Sequence, residues 1–157
     1  MLRLFAAAFT ILLAASSFAD QKVQLVTDFD ISPDAKFVAF SRFGDLWRVP
    51  IKGGRAIRLT TNRASDSTPK YSPDGTQIAF ASSRSGSNQV YTIPASGGTA
   101  NQLTHHTEGF ALQDWYPDGE RLLVAGRRDH HWRHATRLMS ISSTERSAEQ
   151  MLSLIHI

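Results

Sequence analysis

Apolar and β-branched residues fall in short runs cut at regular intervals by Pro, Asp, Gly and Ser. The middle of the chain shows the pattern best. Tyr71-Ser72 precede the turn Pro73-Asp74-Gly75, and the run 77–81 follows. The polar stretch 82–88 leads into the run 89–94, and Gly97-Gly98 separate that run from 101–104. Proline presets the first central turn position, Asp bonds its own following backbone, and Gly takes positive φ without a Cβ clash, so P-D-G marks a hairpin. Four short strands result. Ile78-Ala79-Phe80 and Val90-Tyr91-Thr92-Ile93 are nearly continuous rather than alternating, as expected of strands covered on both faces.

The same punctuation occurs three times. Pro33-Asp34, Pro73-Asp74 and Pro117-Asp118 open similar stretches at spacings of 40 and 44 residues. A period of that size is the signature of a blade-per-repeat propeller or a solenoid. The fold class expected is all-β, a β-propeller built from four-stranded antiparallel blades, incomplete, with about three blades at 21–61, 62–105 and 106–143. The first copy has Ala35 where the others have Gly75 and Gly119, so its turn is either mildly strained, by about 1 kcal/mol, or of a different type. The third copy has a long connection, 126–136, where the second has 83–87.

Corresponding strand positions predict a core of Phe40, Trp47, Val49, Leu59, Ile78, Phe80, Tyr91, Ile93, Leu103, Leu122, Val124, Leu138 and Ile141. Truncating Trp47 or Phe80 to Ala is expected to cost about 3–5 kcal/mol. The third copy lacks the Gly-Gly hairpin and Leu-Thr pair that close the other two, so it is expected to break off after its third strand. Residues 144–157 read as a truncated tail, in which 152–157 (L-S-L-I-H-I) is what the end of a transposase sequencing adapter encodes in one frame. An open array of this kind leaves strand edges and blade faces uncovered, and is expected to associate.

Met1-Leu2-Arg3, the apolar run 4–15 and the small residues Ser17 and Ala19 read as a secretory signal peptide, 1–19, cleaved after Ala19. The partial propeller then spans 20–143, exported to the periplasm or secreted. The run is short for a membrane span, and no second one follows. The absence of Cys means the fold is held without disulfides. A formal charge of +3, or +2 without Arg3, is too small an excess to suggest nucleic acid as a partner.

Candidate chemistry concentrates in and around the third copy. His105, His106 and Glu108, with His130, His131 and His134 in the long connection, carry groups that bind zinc. Adjacent residues on an extended segment point to opposite sides, so a solvated loop, or packing of Trp132 on a neighbouring blade, is the better reading. Arg121, Arg127, Arg128, Arg133 and Arg137 could dock a carboxylate or phosphate, with Asp129 and Glu120 as partial neutralisers. No Ser sits in a G-x-S-x-G elbow, and no G-x-x-x-x-G-K pattern occurs. No catalytic, cofactor-binding or metal residue is assigned, and no cofactor is expected.

Residues 72–104 read S-P-D-G-x-x-I-A-F-x-S-x-R-x-G-x-x-x-V-Y-x-I-P-x-x-G-G-x-x-x-Q-L-T, which resembles the propeller repeat of TolB-like and tricorn-protease-like proteins. The segments 44–50 (G-D-L-W-R-V-P) and 114–119 (D-W-Y-P-D-G), the latter leading to 128–132 (R-D-H-H-W), most resemble the N-terminal propeller of secreted tricorn-type serine peptidases. That resemblance implies a non-catalytic part that binds or gates peptide or protein substrates and packs on its own C-terminal domains. A free-standing TolB-like propeller mediating protein–protein interaction is the alternative, and a propeller fused to an amidohydrolase a weaker one.

Overall fold

The computed structural model describes residues 26, 28–127, 136–144 and 150–151, so the leader expected at 1–19, residues 152–157 and His130, His131 and His134 lie outside it. Twelve strands are present among the described residues. They are β1 (Phe29–Ile31), β2 (Phe37–Arg42), β3 (Asp45–Pro50), β4 (Ile57–Arg58), β5 (Asp66–Tyr71), β6 (Gln77–Ser85), β7 (Ser87–Pro94), β8 (Asn101–Gln102), β9 (Phe110–Trp115), β10 (Arg121–Gly126), β11 (Arg137–Ser142) and β12 (Gln150–Met151). They form three antiparallel meanders of four, in chain order, which are three propeller blades. The first strands β1, β5 and β9 sit at the junctions, with β5 touching β1, β2 and β3, and β9 touching β5, β6 and β7.

The Pro-Asp turns connect first to second strands. Ala35 adopts φ 54°, beside 72° at Gly75 and 71° at Gly119, so the first copy makes the same left-handed turn and carries the strain. Its N–H donates to the Ser32 carbonyl at 2.8 Å, as Gly75 does to Ser72. In both, the serine hydroxyl also donates to the Asp carboxylate at 2.6 Å and accepts from the N–H that starts the second strand. Tyr116 replaces that serine in the third copy, and Arg121 holds Asp118 there instead at 2.7 Å.

The Leu-Thr landmark has a specific task. The Thr60 hydroxyl accepts from Leu46 N–H at 3.0 Å and the Thr104 hydroxyl from Val90 N–H at 2.8 Å. A side chain thereby completes the ladder, so β4 and β8 are only two residues long, shorter than the 101–104 strand expected. The third blade departs from expectation more plainly. It has a fourth strand, with Met151 opposite Met139 and Gln150 opposite Ser140. No Gly-Gly or Leu-Thr signal marks it in the sequence.

Each blade buries one face against the next. Ile78, Phe80, Tyr91 and Ile93 of the second blade pack on Ala39, Leu46 and Leu59 of the first. Ala79, Val90 and Leu103, on the second blade's other face, pack with Phe110, Leu112, Trp115, Leu122, Val124, Met139 and Ile141 of the third. Among the described residues, only the second blade is covered on both sides. That corrects four members of the expected core: Phe40, Trp47, Val49 and Leu138 are half-buried. The first three lie on the first blade's outward flank, and Leu138 lies on the third blade's outward face, where Met139 takes the inward position.

Candidate functional site

Strand direction sorts the connections into two ends. The Pro-Asp turns and the Gly-Gly hairpins share one end, while the second-to-third-strand hairpins and the blade-to-blade connections gather at the other. The second end carries the polar and exposed aromatic groups. Loops on a rigid scaffold are where binding residues concentrate, so this loop end is the candidate site.

In the first blade, Arg42 and Asp45 pair across a two-residue turn in which Phe43 and Gly44 both have positive φ, 53° and 80°. Such a turn suits the twist of a hairpin but strains a residue with a Cβ. Phe43 is 82% exposed, with the Arg42 guanidinium 4.9 Å from its ring centre. The Gly44 carbonyl accepts from Asp66 N–H of the next blade at 2.8 Å. Asp66 is buried and takes two hydrogen bonds from Arg84, at 2.9 and 2.8 Å, while Arg84 lies over the Phe80 and Tyr91 rings. The buried carboxylate is thus paired and fixed in place. Asp45, also buried, meets Arg58 at 2.5 Å.

The second seam uses neutral groups. The His106 carbonyl accepts from Ser87 Oγ at 3.0 Å and also from Gln89 Nε2. Its ring leans on Phe110, and its Nδ1 accepts from Glu108 N–H at 3.2 Å. Beside it a cleft of about 270 Å³ is lined by residues including Asn88, Glu108, Phe110, Arg127 and Thr136. Gly109, φ 73°, forms part of its wall, and a Cβ there would meet the Asn88 carbonyl oxygen at 2.5 Å. Among the described residues neither Glu108 nor Arg127 has an ion-pair partner. The cleft therefore offers one cation and one anion at the loop end.

The histidine and arginine clusters read from the sequence come together only in part. His106 is occupied in packing, His105 is exposed, and no three His, Asp or Glu side chains converge on a metal position among the described residues. Arg121 stands at the Pro-Asp end of β10, bonded to Asp118, whereas Arg127 follows its opposite end. A strand of six residues separates them by about 20 Å. Arg137 lies opposite Gly126 and so shares the loop end with Arg127. Arg128, Asp129, Trp132 and Arg133 lie outside the described residues. Of the serines, Ser82 accepts from Arg84, and Ser87 donates to a backbone carbonyl rather than to an imidazole. Phe43 and the Asp66–Arg84 pair were missed, since no motif marks a strained aromatic or a buried ion pair across a seam.

Titration shifts cluster at the other end. Asp34 is held at about 2, first by the Ser32 hydroxyl and then by Lys36 N–H. Asp74 is lowered by Ser72 and Thr76, and Asp118 by Arg121. Burial pushes Tyr71 up to about 12. These shifts belong to turns and core. They build no acid–base pair.

Stacked four-stranded blades joined in this way, with polar connections at one end, define a propeller-repeat protein. Residues 24–154 match the family described as the Tricorn protease N-terminal beta propeller domain, and the chain belongs to that family. It is 39% identical over 59 residues to Tricorn protease homolog 1 of Streptomyces coelicolor, covering 38% of this chain and 6% of that protein. It is 31% identical over 84 residues to the TolB homolog of Chlorobium luteolum, covering 48% of this chain and 19% of that one. The crystal structure of the tricorn protease superposes with a TM-score of 0.67 at 19% identity, over 82% of this chain and 13% of that one. The chain thus spans less than a fifth of either sequence relative.

Proposed function

We propose that this chain is the N-terminal propeller portion of an exported tricorn-like serine peptidase, itself non-catalytic, which binds or gates peptide substrates for a C-terminal catalytic domain. Family membership supports the reading, and so does the loop end, where Arg127 and Glu108 face a cleft of peptide-terminus size. Export follows from the leader expected at 1–19, with maturation after Ala19 and a periplasmic or secreted destination. The alternative is a free-standing TolB-like propeller that mediates protein–protein interaction, favoured by the TolB homolog's longer match.

The test is to incubate the chain with fluorescent peptides of mixed sequence, recording anisotropy for binding and mass spectra for cleavage. Saturable binding of unstructured peptides that remain intact, weakened about tenfold in Arg127→Ala, is the expected result. Cleavage by the chain would refute the non-catalytic role. Peptides that never bind would leave the gating role without support and favour the TolB-like alternative. Intact mass after expression in a Gram-negative host tests export, with a chain beginning at Asp20 expected and an unprocessed Met1 form contradicting it.

A further inference from the structure

Two costs meet at Phe43. It holds the first central position of a two-residue turn in which both residues have positive φ, a conformation that Asn, Asp or Gly adopts readily and a bulky side chain only with strain. The corresponding hairpin of the second blade meets the same demand with Gly86, at φ 105°. The Phe43 ring is also 82% exposed, the largest value among the exposed apolar residues described. Its contact with the Arg42 guanidinium lies at the surface and offsets only part of the two costs. Strain kept without a local return points to a contact made outside the chain. The ring lies beyond Arg42 and Asp45, the last register pair of β2 and β3, so it stands at a tip and not on a face that stacked blades cover.

The tip is fixed against the second blade. Besides the hydrogen bond from Asp66 N–H to the Gly44 carbonyl, a Cβ on Gly44 would stand 3.6 Å from the Ser65 Cα. The connection 62–65 is therefore the neighbour of the tip. It carries Arg63, exposed and without an ion-pair partner among the described residues. Asn62 Oδ1 accepts from Ala64 N–H at 2.9 Å and so shapes the turn that presents Arg63. The carboxylates nearby are engaged elsewhere. Asp45 and Asp66 are buried and paired with Arg58 and Arg84, and Asp28 accepts from the Ser41 hydroxyl. An exposed ring beside an uncompensated guanidinium complements an apolar side chain next to a carboxylate.

We propose that the Phe43 tip is the apolar anchor of the loop end, and that with Arg63 it selects peptides carrying an aromatic or large aliphatic side chain beside an acidic residue. The inference rests on the peptide-binding reading above and names its substrate class. The peptide's apolar side chain covers the open ring, and its carboxylate meets the planar guanidinium. A tight turn held by the second blade sets the ring in place beforehand, so little freedom is lost on binding.

Fluorescence anisotropy with three unstructured peptides tests this: one with phenylalanine between glutamates, one with serine for that phenylalanine, and one with lysines for the glutamates. The first should bind about tenfold tighter, or more, than either of the others. Phe43→Asn should bind the first and second alike while its urea midpoint rises, because Asn suits the turn that Phe strains. Phe43→Trp should keep the aromatic preference, and Arg63→Gln should lose only the preference for glutamate over lysine. A parent chain that binds the three alike, an aromatic preference that survives Phe43→Asn, a lowered midpoint in that variant, or charge discrimination that survives Arg63→Gln would each overturn the proposal and leave the peptide-binding reading standing. Binding of none of the three would remove both.

Discussion

Ala35 holds φ at 54° in a turn where its two counterparts are glycine. Gly75→Ala should therefore destabilise by about 1 kcal/mol, with a Cβ 3.4 Å from Pro33 adding to the backbone strain. Ala35→Gly should stabilise by about 0.5 kcal/mol, because strain relief exceeds the entropy that glycine adds to the unfolded chain. Urea unfolding of both variants checks the pair. The neighbouring carboxylates make these turns acid-sensitive. Asp34 at about 2, and Asp74 lowered, have folded values below their unfolded ones near 3.8. The stability they contribute is full above that unfolded value and is lost as pH falls toward 2. Melting temperature should decline over that window, and less steeply in the double variant Ser32→Ala with Ser72→Ala. Parallel declines would show that the serine hydroxyls do not set the shift.

At the scale of strands and seams, the hairpin turns, the inner runs and the antiparallel order were legible because P-D-G, Gly-Gly and the apolar runs are local signals. Burial was not, since it depends on which side a neighbouring blade lies. Phe80 and Trp47 look alike in the repeat, yet Phe80 is fully buried beneath the first blade and Trp47 only partly buried. Phe80→Ala should still cost about 3–5 kcal/mol, whereas Trp47→Ala in the monomer should cost about half as much. Equal losses would place a cover over Trp47. Of the candidate site, Arg127, Arg137 and Glu108 were found from charge, but the separation of Arg121 from them follows from strand direction, which no motif states. Gly109 was not singled out either. Its Cβ would strike the backbone of Asn88, where the second residue of β7 meets the residue before β9. Gly109→Ala should destabilise by about 2 kcal/mol or more, combining positive φ with overpacking. Denaturant midpoints read both comparisons.

For the whole molecule, stability is expected to follow the stacking. Each repeat touches its neighbours, and among the described residues the middle blade gains from two seams and the first and third from one each. Opening free energies should grade accordingly, since local opening is easiest where fewest apolar contacts must break. Amide hydrogen exchange, followed by mass spectrometry at a dilution where light scattering gives a single copy, reads that gradient directly. The slowest exchange is expected in β6 and β7, with β2 and β3 of the first blade opening sooner on the same time course. Protection in β2 and β3 equal to or greater than that in β6 and β7 would contradict the stacked-blade account.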